Sequence, residues 1–495
     1  MGEGQVQSIV FDATSWSVLP RDQRQMIVSQ VIDQPDSYAS QLLSLIRAPA
    51  GFGVYASLGP NYQYAIFGRD SLEFAEDLLE SRPELSREIL IAVAKLQGWR
   101  LEPTSEEEVG KIHHEYRARE FNGSGISEVA NQVFERLSPQ WGGNDQEMCY
   151  YGSVDTTPLF LRLLDRYVKK YGVELLDEVI TDHHEDIYTM RHHARVAAEW
   201  LRNYISASDW GLLEFKRLNP MGLPNQAWKD SEVSYLHLDG SRANADSGIA
   251  SIEVQGYAYD ALHAAANLVA GDEDEASHFL QLAAHLQQRT LELLWMDTEQ
   301  FFAIGLDRDE TGQTRQIKTL ASNAAAVLDS RLLLDLPNEA RLRYAAPIAR
   351  TIMGPDFLTD VGIRTRALRH VDLIDFADYH GAQVSWPKET YDIAKGLRRH
   401  GYDAAATELE NRLLAAAQKS GEFYEFYYAN RDGKIKYHYR NEHPDEPQFH
   451  ELGVALLPEP GQAWTMSAVL GIAAGRNSGR VIENQAQMSY TDGYY

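Results

Sequence analysis

Two acidic residues stand in surroundings that would set a carboxyl group to proton-transfer work. Asp230 lies in Asn225-Gln226-Ala227-Trp228-Lys229-Asp230-Ser231, after the turn Asn219-Pro220-Met221-Gly222-Leu223-Pro224. The Trp228 ring can strip water from that carboxyl and raise its pKa, as a general acid needs. The alternative is a helix N-cap for the segment that follows. Glu425 is the one acid in Phe423-Tyr424-Glu425-Phe426-Tyr427-Tyr428. A carboxylate among aromatic rings is costly unless paired or used, although strand alternation would also turn it outward. Two carboxyls facing a bound sugar from opposite sides are what acid–base cleavage of a glycosidic bond requires. Residues so far apart in sequence can meet only through the fold.

Other polar residues compete. Arg69-Asp70 and Glu253 with Gln255 open helical segments. They read as ligands for sugar hydroxyls, or as caps and buried ion pairs. Metal spacings are weak. His183-His184 and His192-His193 are about two helical turns apart, too far to share an ion, and His113-His114-Glu115 lacks a second cluster. Asp307-Arg308-Asp309-Glu310-Thr311-Gly312 starts like a calcium loop, but Lys318 stands at the twelfth position, so a hairpin turn is expected. There is no phosphate-binding glycine loop and no Gly-x-Ser-x-Gly elbow.

Composition narrows the classes. The formal net charge of −26 repels phosphate backbones and anionic lipid, so neither nucleic acid nor membrane is expected as a partner. Cys149 is the only cysteine, which excludes an intrachain disulfide and thiolate metal centres within one chain. No apolar run approaches the roughly 18 residues of a membrane helix. Met1 to Trp16 lacks the basic and apolar regions of a signal peptide, so a soluble, cytoplasmic protein is expected. Twenty-six Tyr and nine Trp would suit stacking on sugar rings, or simply core filling.

Most of the chain has a helical period, with clear segments at 70–79, 84–96, 156–170, 185–205, 253–269, 275–295, 338–353, 388–400 and 404–417. Two hairpins are expected, around Asp307–Gly312 and around Asp432-Gly433. Six segments repeat one design: a short polar or aromatic stretch, then a helix of small and apolar residues. They begin near Gly68-Arg69-Asp70, Gly152-Ser153-Val154-Asp155, Glu253-Val254-Gln255-Gly256, Ser322-Asn323, Gln383-Val384-Ser385-Trp386 and Gln462-Ala463-Trp464. More charged amphipathic helices alternate with them. That alternation suits two concentric rings, the inner buried all round and the outer along one stripe. The expected fold is all-α, an α/α toroid of six hairpins with small local β-hairpins. Residues 1–475 would form one unit, with 1–60 as helices capping the toroid and 476–495 as a polar tail.

Nine segments in collinear order carry a resemblance. They are Ile66–Asp70, Gly110–Glu115, Tyr151–Phe160, Gly211–Glu214, Asn225–Ser231, Glu253–Tyr257, Gly362–Thr365, Tyr379–Pro387 and Gln462–Trp464. Together they resemble the C-terminal glucosidase domain of glycogen debranching enzymes, the amylo-α-1,6-glucosidase family. They also resemble the related toroidal glucosidases that include mannosylglycerate and glucosylglycerate hydrolases and processing α-glucosidase. The resemblance covers roughly residues 60–475.

It implies an inverting glycoside hydrolase that releases a terminal α-linked sugar, glucose in the first instance. The family's acid lies in a Trp-Lys-Asp-Ser loop, which matches Asp230, and its base is a late Glu whose context matches Tyr424-Glu425-Phe426. Arg69, Asp70, Trp228, Lys229, Glu253, Gln255, Tyr379, His380, Trp386 and Trp464 would hold the sugar, with no metal or organic cofactor. Two departures stand out: Tyr427–Glu451 is longer and more polar than in debranching enzymes, and the Tyr379–Pro387 motif is a variant. No room for the family's β-sandwich precedes residue 60, which favours a small α-glucoside over glycogen. The rival readings are a non-hydrolytic toroid enzyme, an epimerase or inverting phosphorylase, and a carbohydrate-binding protein without catalysis. The oligomeric state is not legible.

Overall fold

Helix Ile252–Leu268 and its successor Glu273–Leu294 display the two kinds of helix the chain uses. The first buries nearly every side chain and carries alanine at 258, 261, 264, 265 and 266, so neighbours approach it from all sides. The second buries Phe279, Ala283, Leu286, Thr290 and Leu294. Those positions fall three or four residues apart and form a single stripe. Asp272 caps its start, accepting the backbone N–H of Glu275 at 2.9 Å.

These helices belong to the computed structural model, which describes residues 16, 18–49, 51–119, 128–269, 271–373, 378–436 and 458–477. Among the described residues, six inner helices form a ring. They are Gly68–Asp77, Thr156–Tyr171, Ile252–Leu268, Asn323–Ala326 with its 3₁₀ continuation Val327–Asp329, Pro387–Arg399 and Ala463–Asn477. Each packs on the next, and the last packs back on the first. Pro83–Lys95, Met190–Ala207, Glu273–Leu294, Asn338–Ile352 and Asp403–Ser420 lie outside them. Arg21–Asp33 and Pro35–Ser44 pack on the outer side of the last inner helix. This is the expected all-α toroid, and the six polar starts read from the sequence are the starts of the six inner helices. Of the expected tail, residues 478–495 lie outside the described residues, as do 437–457 beyond the second hairpin.

Charges also tie the inner helices to one another. Arg162 pairs with Glu76 and lies 3.8 Å from Asp260 and 3.6 Å from Asp329, linking four inner helices. Lys388 reaches Glu73 at 2.7 Å, and Lys395 reaches Asp77 at 2.7 Å, so the fifth helix is bonded to the first. In such buried pairs desolvation offsets much of the attraction.

Short antiparallel strands sit at the polar end. Both expected hairpins are present: 305–308 with 314–317, and 427–429 with 435–436. Asp309 closes the first turn by accepting the backbone N–H groups of Thr311 at 2.8 Å and Gln313 at 3.0 Å. Two sheets bear on the site. Strands 65–67, 115–118 and 147–150 pair side by side, and 384–385 pairs with 427–428.

Candidate active site

The starts of the first, fifth and sixth inner helices border a cavity of about 410 Å³. Strand 65–67 feeds directly into the first inner helix, which begins at Gly68 with its N–H bonded to the carbonyl of His114 at 3.0 Å. A Cβ at Gly68 would lie 2.2 Å from the carbonyl oxygen of His113, so only glycine allows this approach. Arg69 then points inward, bonding Asp155 at 2.9 Å and Asp230 at 3.4 Å. Tyr379 donates its hydroxyl to the other oxygen of Asp230 at 2.9 Å. Asp230 is thus oriented from two sides, while a fifth of its side chain stays exposed. Burial pushes its pKa up, against the opposing pull of Arg69 and Tyr379.

Trp228 forms the floor beside it. Trp386 stands edge-on at 4.7 Å, Trp464 at 5.5 Å and His380 at 5.4 Å between ring centroids. The Trp228 indole donates to Glu389 at 3.2 Å, and that of Trp386 to the carbonyl of Tyr379 at 2.8 Å. Both rings are therefore held in one orientation. His380 is fully buried, and burial holds its pKa well below the usual histidine range, so it is neutral. Ser231 donates to Asp378 at 3.2 Å and takes the hydroxyl hydrogen of Ser234, whose oxygen lies 3.1 Å from His380 Nδ1. In that chain Nδ1 donates and Nε2 is left as an acceptor, suited to a hydroxyl hydrogen.

Glu425 lines the same cavity and is 6% exposed. Its backbone N–H bonds the carbonyl of Glu459 at 2.9 Å, and one carboxylate oxygen accepts the Glu459 N–H at 3.2 Å. Burial raises its pKa well above the ordinary carboxylate value, and the charges of Glu459, Asp70 and Asp230 raise it further. Asp70 accepts from Gln462 at 3.4 Å, and burial pushes it up to about 7.

Of the residues singled out in the sequence, Arg69, Asp70, Trp228, Asp230, Tyr379, His380, Trp386, Glu425 and Trp464 line the cavity. Lys229, Glu253 and Gln255 do not. Lys229 turns away from the cavity, fully buried, and pairs with Glu389 at 2.9 Å and with Ser322 at 3.2 Å. Gln255 commits its amide to the backbone of Leu213, donating at 2.8 Å and accepting at 2.9 Å. Glu253 accepts from Ser251. These three make their bonds outside the cavity wall.

Sequence reasoning missed part of the wall. Asn61, Tyr62, Glu115, Arg117 and Glu459 also line the cavity. Glu459 accepts from Asn61 at 2.6 Å and Ser57 at 3.1 Å. Its signal was an acid between two prolines, in Pro458-Glu459-Pro460-Gly461, directly before the Gln462-Ala463-Trp464 motif.

Known proteins share this architecture. A GH63 mannosylglycerate hydrolase from Thermus thermophilus in complex with glucose superposes with a TM-score of 0.53, covering 92% of this chain and 100% of its own at 13% identity. Its complex with Tris gives 0.54, covering 88% and 98% at 15% identity. A wild-type glycosidase gives 0.52, covering 92% and 97% at 12% identity. At such identities these likenesses establish the fold alone. No curated protein matches the chain. Residues 196–449, more than half of the sequence, match the family model described as the mannosylglycerate hydrolase MGH1-like glycoside hydrolase domain. The chain is therefore a glycoside hydrolase and belongs to the mannosylglycerate hydrolase MGH1-like family.

Proposed function

We propose that the enzyme hydrolyses a terminal α-linked sugar, glucose in the first instance, from a short glycoside with inversion at the anomeric carbon. One observation carries the reading. Asp230 and Glu425 line one tryptophan-walled cavity, and each is desolvated enough to hold a proton more tightly than usual. Asp230 protonates the glycosidic oxygen as its bond to the anomeric carbon breaks. Glu425 takes a proton from the water that attacks that carbon from the opposite face. The water oxygen becomes the new anomeric hydroxyl, and proton exchange with solvent resets both acids.

Trp228 and Trp386 would stack on the ring, and the acceptor nitrogen of His380 would take a hydroxyl hydrogen. The volume, near the lower end of the roughly 300–1,000 Å³ range of ligand pockets, suits a sugar with a small aglycone. A related fold binds glucose. The test is incubation with α-glucosides and α-mannosides, with and without phosphate, followed by proton NMR. The β-anomer of the released sugar should appear first and without need of phosphate. An α-anomer appearing first would overturn inversion, and strict phosphate dependence would mean a phosphorylase.

A further inference from the structure

Away from the cavity, the fold brings together a glutamate and two histidines that the sequence keeps far apart. Glu107 lies in the 99–109 loop and is 2% exposed. His183 and His184 lie in the turn between strands 179–181 and 187–189. Asp182 shapes that turn by accepting the backbone N–H groups of His184 at 2.8 Å and Asp186 at 2.9 Å. One ligand atom from each of Glu107, His183 and His184 lies within 4.8 Å of the other two. None of the three lines the cavity.

The donors are prepared for a cation. His183 Nδ1 lies 2.9 Å from the carbonyl oxygen of Lys95. A carbonyl only accepts, so Nδ1 carries the hydrogen and Nε2 presents a lone pair. A ring N–H anchored on a backbone carbonyl is the arrangement that orients metal-bound histidines. His184 Nε2 is buried with no hydrogen-bond partner among the described residues and lies 3.7 Å from a carboxylate oxygen of Glu107. Glu107 does accept from the backbone of Trp99 at 2.9 Å and from Arg100 at 3.2 Å. The Arg100 side chain is mostly exposed and can leave, and the Trp99 bond can persist on a coordinated oxygen.

We propose that Glu107, His183 and His184 form a binding site for a divalent first-row transition ion of the zinc type. Two imidazoles and one carboxylate suit such an ion better than calcium or magnesium, which take oxygen donors. Bonds of roughly 2.0–2.2 Å need the donors drawn slightly closer, which side-chain rotation supplies. Water would complete a tetrahedron. The ion would staple the 182–186 turn to the 99–109 loop. In that loop the neighbouring Glu106 accepts from Gln226 at 2.6 Å, within the segment leading to Asp230. The site is thus structural.

The test uses the full chain, stripped with chelator and titrated with Zn²⁺ alone in competition with a chromophoric chelator. A single tight equivalent should bind and raise the melting temperature, whereas Mg²⁺ should do neither. Co²⁺ should give the visible absorption of a tetrahedral nitrogen–oxygen site. His184→Asn and Glu107→Gln, each checked by circular dichroism in chelator, should each weaken binding by about 100-fold or more. No tight equivalent, or binding unchanged in both folded variants, would overturn the site.

Discussion

Glu459 donates its backbone N–H to the carboxylate of Glu425 at 3.2 Å while its own buried carboxyl group stands beside it. One residue therefore both fixes the orientation of Glu425 and raises its proton affinity. A base works only when unprotonated, so the acidic limb of the rate profile should lie above the usual glutamate range. Glu459→Gln keeps the backbone bond and removes the neighbouring charge. Its acidic limb in kcat/KM should move to lower pH, with the plateau changed much less. An unmoved limb would show that Glu459 does not tune the base.

Asp230→Asn should separate the two acids by leaving group. General acid catalysis is worth roughly 10²–10⁴-fold, and substrates with poor leaving groups should lose about that much. A glucosyl fluoride, whose departure needs little protonation, should be largely spared. Glu425→Gln should be severe for both, because water needs activation whatever leaves. Steady-state kinetics on the two substrate types decides it; equal losses in Asp230→Asn would remove it from the acid role.

Lys229→Met tests whether Lys229 supports the fold or holds the sugar. Lys229 pairs with Glu389 in full burial, so its loss leaves an uncompensated carboxylate beneath Trp228. Removing one partner of a buried pair costs roughly 3–5 kcal/mol. Denaturant unfolding should show that loss, and conversion of Glu389 to Gln alongside it should recover part. A rise in KM with unchanged stability would instead make Lys229 a sugar ligand.

We also propose that the described toroid is one folding unit. The motive is ring closure, since the last inner helix packs on the first. Limited proteolysis should leave no half that refolds alone; two separately stable fragments would disprove it.

The ring and its polar starts were legible because burial all round and burial on one stripe leave different patterns, as in Ile252–Leu268 and Glu273–Leu294. The place of Asp230 and Glu425 in the cavity wall had a local signal: Trp228 stands next to Asp230, and aromatics flank Glu425. Direction had none. Glu253 and Gln255 are polar at a helix start just as Asp70 is, and whether such a side chain faces the cavity depends on helix rotation; for Lys229 it depends on the path of the 225–231 loop. Glu459 and Asn61 were missed because their meaning lies in each other, across the ring closure. The cluster at Glu107 was missed for the same reason, since ion spacing was sought along the chain and not across it.

Closure by the final helix also sets a timetable for synthesis. Arg69 and Asp70 emerge well before Gln462 and Trp464, which complete their surroundings; Gln462 follows Asp70 by 392 residues. Until then the buried flank of Gly68–Asp77, with Leu72, Phe74 and Ala75, has no partner from Ala463–Asn477. A growing chain thus carries an open apolar seam until that helix is made, a species prone to aggregate. Ribosome-bound intermediates should therefore recruit holding chaperones until the sixth inner helix clears the exit tunnel.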